Sequence, residues 1–112
     1  KNYNVIKQFV GHGIGLDLHE PPQVPNYTKT PNEGLLMQPG LILAIEPMIV
    51  GGYNKVIVDK NGWTARTVDN SLAVHWEHTI LITGEGSEIL TLRAEEETYD
   101  QTRTKRKGTL HA

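Results

Sequence analysis

The fold depends first on the run Gly11-His12-Gly13-Ile14-Gly15-Leu16-Asp17-Leu18-His19-Glu20-Pro21-Pro22. Glycine at every second position lets the main chain turn sharply and lets neighbouring groups come close. His12 and His19 are therefore presented by the scaffold rather than by a mobile loop, which is what a metal ligand or a proton donor needs. Two carboxylates from later in the chain, Glu46 and Glu77, are the partners that we expect for them.

The composition limits the class of protein. The chain has 112 residues, a net charge of −2 and no cysteine, so it forms at most one ordinary domain with a modest core. The charge gives no sign of a nucleic-acid or membrane partner, and no apolar run approaches the ~18 residues of a membrane span. Because disulfides and thiolate metal sites are excluded, histidines and carboxylates remain as ligands. We predict a cytoplasmic protein, and a start at Lys1 without methionine indicates a cut piece of a longer chain.

The first half of the sequence predicts two strands and an irregular segment. Residues 3–10 are rich in β-formers and predict a strand that ends at the glycine motif, with His12 at its end. Four prolines in residues 21–31 predict an extended segment without regular structure. Residues 41–50 are apolar nearly throughout and predict a strand covered on both faces, interrupted by Glu46.

The second half predicts a β-meander. Its predicted strands are residues 55–59, 63–68, 73–83 and 88–92. Lys60-Asn61-Gly62 is a strong hairpin signal between the first two of them. In the third, alternation of side chains places His75 and Glu77 on one face. Residues 93–112 contain few apolar side chains, which predicts a polar, solvated tail.

Glu46 is unusual because it lies in an apolar strand. An ionised carboxylate there costs several kcal/mol unless it has a partner. Pro47 favours extended geometry at Glu46 and removes a backbone donor, as in a strand that is bulged or ends at a site. Two interpretations stay open, a metal ligand or a carboxylate paired with Lys or Arg at a strand edge. An imidazole with two carboxylates suits Mn, Fe, Co or Zn.

The other candidates also have structural alternatives. His12 can be a turn residue beside glycine, and His19 can be a surface residue ion-paired with Glu20. Trp63, just after the hairpin signal, can be a cross-strand packing residue. The glycine run is not a nucleotide-binding fingerprint, because its spacing is G-x-G-x-G and no amphipathic helix follows.

Three ordered motifs carry a family resemblance. The runs GHGIG…HEPPQVPNY, Pro39-Gly40…Ile45-Glu46-Pro47-Met48 and Glu77-His78-Thr79 resemble the second half of a bacterial-type methionine aminopeptidase. The resemblance implies an α+β protein, the C-terminal half of a pita-bread fold that is mostly antiparallel sheet within this segment. It implies that residues 1–92 are half of a catalytic domain and that residues 93–112 are the tail.

The activity that the resemblance implies is removal of the initiator methionine from nascent peptides by two divalent metal ions, Co, Mn, Fe or Zn. His12 would bind one ion, while Glu46 and Glu77 would supply carboxylates and Glu77 would bridge both ions. Glu46 also matches the residue that shuttles a proton from water to the leaving amine. His19 matches the imidazole that binds substrate and stabilises the tetrahedral intermediate.

The substrate pocket and the missing half complete this expectation. Trp63 matches a wall of the methionine pocket, and Leu18 replaces a frequent aromatic residue beside the substrate histidine. His75 stands where glutamine is common, so it is a contact behind the ligands or an extra ligand. Two aspartate ligands and a catalytic histidine belong to the absent N-terminal half. The isolated piece is therefore expected to be inactive, with that half and peptide N-termini as its partners.

Two other functions stay open. The run from Leu16 to Pro22 is also similar to that of Xaa-Pro aminopeptidases and prolidases, although Trp76-Glu77-His78-Thr79 favours methionine removal. A non-catalytic pita-bread module that binds peptide termini is the third hypothesis. Such modules usually lose ligands, whereas His12, Glu46 and Glu77 are all present here.

Overall fold

The structure is a computed structural model that describes residues 2–96. Its strands are β1 Asn4–Val5, β2 Gly11–Gly13, β3 Glu20–Val24, β4 Ile42–Ile45, β5 Met48–Val50, β6 Val56–Val58, β7 Ala65–Thr67, β8 Ala73–His75, β9 His78–Thr83 and β10 Gly86–Ile89. A single 3-10 turn, Ala94–Glu96, follows them in the described range. Every strand pair in this range is antiparallel. Within it, no helix has the length and apolar character that a membrane crossing requires.

The strands form three sheets. The largest has the order β10-β9-β4-β2-β3, the second has the order β1-β5-β8, and β6 pairs with β7 alone. Each of the two larger sheets has its own small core. The buried residues are Val24, Leu43 and Ile82 in one cluster and Ile6, Val50 and Val56 in the other. The two larger sheets are therefore joined by runs of chain that continue from one sheet into the other.

Two paired runs of chain leave the first sheet and enter the second at the same position along their pairing. Ile45 pairs with His78 in the first sheet, and Met48 pairs with His75 in the second. Both ladders stop over the intervening pairs of residues, 46–47 and 76–77. Pro47 has no N–H to donate, so the ladder cannot run through it unchanged. We call this place the strand break; there the Trp76 N–H donates to the Pro47 carbonyl across 3.1 Å.

The glycines of β2 allow three strands to lie close together. A Cβ on Gly11 would lie 2.2 Å from the Ala44 carbonyl oxygen, and one on Gly13 would lie 2.2 Å from the Pro21 carbonyl oxygen. Only glycine fits at either place. The prediction that a strand over residues 3–10 ends at this motif was wrong. The strand that bears His12 is the glycine motif itself, because main-chain proximity rather than β-propensity decides where pairing occurs.

The proline-rich segment also differs from its prediction. Pro21 and Pro22 lie within β3, although prolines were expected to preclude regular structure there. Since β3 is an edge strand of its sheet, a residue without an N–H is tolerated on its open side. A shift in pairing register between His12 and Gly13 accompanies this edge.

The remaining predictions have mixed outcomes. The hairpin at residues 60–62 is confirmed, with Gly62 at a φ of 70° between β6 and β7. The interruption predicted at Glu46 within residues 41–50 is confirmed, because β4 ends at Ile45 and β5 begins at Met48. The continuous strand predicted over 73–83 was wrong, because the strand break divides it as well. Residues 97–112 of the predicted tail lie outside the described range, and the boundary after residue 92 stays a prediction.

Candidate metal centre

Three predicted ligands converge at the strand break. One ligand atom from each of His12, Glu46 and Glu77 lies within 4.8 Å of the other two. His12 comes from the middle of β2, and the two glutamates come from the two broken strands. The structure thus brings together side chains that are 34 and 31 residues apart along the chain.

The two glutamates face each other across the break. The pairs Ile45–His78 and Met48–His75 belong to one continuous register, which places Glu46 opposite Glu77. Like charges directly opposite each other on paired strands destabilise a sheet. A cation between the two carboxylates removes this repulsion, so their arrangement favours a metal ligand over an ordinary surface residue.

His12 is oriented as a nitrogen ligand. Its Nδ1 lies 2.7 Å from the Gly13 carbonyl oxygen. A carbonyl only accepts, so Nδ1 carries the hydrogen and Nε2 is the free ring nitrogen. Nε2 lies 3.1 Å from Glu46 Oε1, and the two side chains are only 14% and 13% exposed. At this distance a proton or a metal ion must lie between the nitrogen lone pair and the carboxylate. The contact of Nδ1 with the Gly13 carbonyl is of the kind that usually supports a metal-binding histidine.

His75 contacts Glu46 from the other side. Its Nε2 lies 3.5 Å from Glu46 Oε2, whereas His12 faces Oε1. His75 does not belong to the ligand group found among residues 2–96. Of the two roles left open for His75, the geometry favours the contact behind a ligand. The two oxygens of Glu46 therefore each face an imidazole nitrogen.

His19 lies beside the ligand group. Its ring centroid is 4.2 Å from that of His12, with the ring planes tilted by 47°. Within the described part of the chain no ion pair joins His19 to Glu20. The Glu20 carboxylate instead accepts a hydrogen bond from the Asp17 N–H at 2.8 Å. His19 is thus exposed next to a ligand, where it can meet a bound molecule.

An apolar cleft of about 370 Å³ adjoins the centre. Trp63 lines this cleft and is 90% exposed. In the described part of the chain it therefore does not act as a buried cross-strand packing residue. His75 lines the same cleft and therefore connects it with Glu46. The other large side chains of its wall are Ile6, Phe9, Met48, Val56 and Val74. Leu18 is exposed and does not line this cleft.

Sequence reasoning missed a polar network beside Glu77. His78 Nδ1 lies 3.0 Å from Thr91 Oγ1, and its Nε2 lies 3.5 Å from Glu96 Oε2. Hydrogen bonding to Arg93 lowers the pKa of the Glu96 carboxyl and raises that of the Arg93 guanidinium. The hairpin signal Gly84-Glu85-Gly86 could have revealed this network, because a tight turn there places residue 91 opposite residue 78.

Comparison with known proteins gives a consistent result. The sequence profile of metallopeptidase family M24 matches residues 1–84. The chain is 47% identical over 91 residues to methionine aminopeptidase 1 of Bacillus subtilis, which covers 81% of this chain and 36% of that protein. It is 51% identical over 92 residues to a methionine aminopeptidase of Chlamydia pneumoniae, covering 80% and 31%. The chain thus spans about a third of the length of these relatives.

Solved structures confirm the predicted fold. The chain resembles the crystal structure of methionine aminopeptidase from Thermotoga maritima with a TM-score of 0.78 and 54% identity, over 82% of this chain and 36% of that one. The enzyme from Rickettsia prowazekii gives a TM-score of 0.77 and 42% identity, over 81% and 37%. The pita-bread fold and the resemblance stated from the three motifs are therefore confirmed.

Proposed function

We propose that this chain, which belongs to metallopeptidase family M24, carries part of the active site of a methionine aminopeptidase. The family uses divalent metal ions, and the relatives are methionine aminopeptidases. One observation carries the proposal for this chain: ligand atoms of His12, Glu46 and Glu77 lie within 4.8 Å of one another. A charge repulsion between Glu46 and Glu77, which a bound cation relieves, accompanies that geometry.

The donor set fits a divalent metal. One imidazole and two carboxylates supply the mixed nitrogen and oxygen environment that Mn, Fe, Co and Zn accept. We propose two ions, with His12 as a ligand of one and with Glu77 bridging both, while Glu46 supplies the second carboxylate. When bound, such ions polarise the peptide carbonyl and activate water near neutral pH.

The chain's own residues then bind and orient the substrate. Glu46, whose two oxygens face His12 and His75, takes the proton of the attacking water and returns it to the departing amine. His19 donates a hydrogen bond to the oxygen that becomes negative in the tetrahedral intermediate. Its place against the His12 ring supports this role.

The cleft is proposed to receive the methionine side chain. Its wall is apolar and includes Trp63, and burial of a methionine side chain stabilises a complex by about 1.5–3 kcal/mol. Since His75 borders both the cleft and Glu46, a side chain seated there has its backbone near the ligand group. Leu18, near His19 in sequence, is proposed to touch the substrate outside this cleft.

The site is incomplete within these residues. We propose that residues 1–92 are the C-terminal part of a catalytic domain, residues 93–112 a tail, and that two aspartate ligands come from a segment outside this sequence. The chain spans about a third of its relatives, which supports this division. The complete protein acts on N-termini of nascent peptides in the cytoplasm, and the 112-residue chain alone is expected to be inactive.

A chimera tests the proposal directly. Residues 1–92 replace the matching segment of the Thermotoga maritima enzyme, with which this chain shares 54% identity. With Co²⁺ or Mn²⁺ the chimera is expected to cleave Met-Ala peptides but not Ala-Pro peptides, and the variants His19→Ala and Glu46→Gln are expected to lose turnover. A folded chimera that binds metal without cleaving Met-Ala, or that prefers Ala-Pro, contradicts the proposal. Turnover by the 112-residue chain alone contradicts the division of the site.

A further inference from the structure

The segment that follows β10 folds back onto the strand break. We call residues Leu90–Glu96 the clamp segment. The Leu90 N–H donates to the Thr79 carbonyl at 2.8 Å. The Thr79 N–H in turn donates to Thr91 Oγ1 at 3.0 Å. Pairing of the clamp segment with β9 therefore continues past the end of β10 as far as the residues beside Glu77.

His78 ties the clamp segment to the residue next to Glu77. Because the Glu96 carboxylate only accepts, the ring hydrogen lies on Nε2, 3.5 Å from Glu96 Oε2. The Thr91 hydroxyl then donates to Nδ1 at 3.0 Å while it accepts from Thr79. The side chains of His78 and Glu96 are only 15% and 17% exposed. Every polar group of this chain of contacts is satisfied, which favours one fixed arrangement.

Arg93 holds the other neighbour of Glu77. Its guanidinium lies 4.3 Å from the centroid of the Trp76 ring and forms an ion pair with Glu96. The Arg93 N–H also donates to Glu96 Oε2 at 3.0 Å. The Trp76 ring meets His78 edge-on at 6.1 Å between centroids. Residues 76 and 78 are therefore both fixed by the same short segment.

Glu77 itself lacks such support. Its side chain is exposed, and among residues 2–96 none donates a hydrogen bond to its carboxylate. The sheet ladder is also interrupted at this residue, and the Trp76–Pro47 hydrogen bond is what keeps its backbone in register. The direction of the Glu77 side chain is therefore determined by its two neighbours, and these are held by the clamp segment on one side and by the Trp76–Pro47 hydrogen bond on the other.

We propose that the clamp segment positions Glu77 for metal binding, with Thr91, Arg93 and Glu96 as positioning residues that act through Trp76 and His78. The consequence for metal binding rests on the proposed function. The competing explanation is a cap that only stabilises the end of β9 and β10. Such a cap affects the free energy of unfolding but leaves the metal affinity of the folded chain unchanged.

Matched variants of the 112-residue chain separate the two explanations. Glu96→Gln removes the charge that pairs with His78 and Arg93, while Glu95→Gln removes the same charge from a neighbouring residue whose ion pair in the described chain is with Arg93 at 3.7 Å. Thr91→Val removes the hydroxyl with little change of shape, and Thr91→Ser retains it. Calorimetry measures Co²⁺ affinity, and urea unfolding measures stability. Hydrogen exchange of the Trp76 and Thr79 amides is measured without metal.

The clamp predicts a selective loss. Glu96→Gln and Thr91→Val are expected to weaken Co²⁺ binding by about 10-fold or more, as supports of metal ligands do, and to speed exchange at both amides. Glu95→Gln and Thr91→Ser are expected to remain within about 2-fold of the parent. A lower urea midpoint with unchanged Co²⁺ affinity overturns the proposal, as does unchanged amide exchange. If the parent chain does not bind Co²⁺, the three ligands present do not hold the metal by themselves, and unchanged amide exchange in Glu96→Gln and Thr91→Val then overturns the clamp.

Discussion

The substitution Glu77→Gln is expected to stabilise the metal-free chain while it weakens metal binding. Glu77 stands opposite Glu46 in register, and their ligand atoms lie within 4.8 Å. Two charges at such a distance repel each other by about 1 kcal/mol in water and by up to about 4 kcal/mol near a protein surface. Because Glu77 is exposed, the lower value applies, and the amide is expected to raise the free energy of unfolding by about 1 kcal/mol.

The same substitution removes a carboxylate from the proposed metal site. We expect the Co²⁺ affinity of the 112-residue chain to fall by more than the ~10–100-fold that loss of an outer support costs. Urea unfolding in chelator and calorimetric titration with Co²⁺ measure the two effects, and the gain in stability is expected to shrink as added salt screens the repulsion. Glu88→Gln, an exposed glutamate on β10, is the control. A Glu77→Gln chain that is less stable without metal, or that binds Co²⁺ as well as the parent, refutes this account.

Three further substitutions test the scaffold by urea unfolding. A Cβ in Gly11→Ala would lie 2.2 Å from the Ala44 carbonyl oxygen, so the strands must move apart until this distance is at least 3.0 Å. We expect the free energy of unfolding to fall by ~1–3 kcal/mol. A variant as stable as the parent contradicts the close approach of β2 and β4. Leu43→Ala empties a fully buried site and is expected to cost ~2–5 kcal/mol; a smaller loss means that this core is not closely packed. The pKa of Asp69 is lowered from 3.8, first by the Tyr53 N–H, so its stabilising contacts are complete above about pH 4 and are lost as pH falls through the lowered value. Asp69→Asn is therefore expected to lose less stability than the parent between pH 5 and pH 2, and equal losses contradict this assignment.

Much of the candidate site could be predicted because its signals are local. Glu46 stands out as an acid in an apolar run, and Pro47 indicates that a strand stops there. The glycines around His12 indicate close backbone approach, which the short distances to Ala44 and Pro21 explain. The convergence of the ligands was expected only from the resemblance to a known family, since no local pattern states which strands will pair.

The errors have a common physical origin. Hydrophobic alternation shows which residues can lie in a strand but not where two strands leave one sheet for another. The run 73–83 was therefore predicted as one strand, although it is broken at Trp76 and Glu77. Pro21 and Pro22 were taken to exclude a strand, although an edge strand admits proline. That β3 lies at an edge depends on the order of strands in the sheet, which no local pattern gives.

The strand break explains why the two acidic motifs occur together. If both strands ran on unbroken, the two carboxylates would face each other within a regular ladder, with a repulsion that destabilises the sheet. Pro47 interrupts the ladder on one strand, and the Trp76–Pro47 hydrogen bond keeps the other strand in register across the gap. The interruption thus retains the opposition of Glu46 and Glu77 while freeing their side chains to turn toward His12. A sequence that kept both glutamates but restored a hydrogen-bonding residue at position 47 would retain the repulsion and lose the geometry that makes it useful.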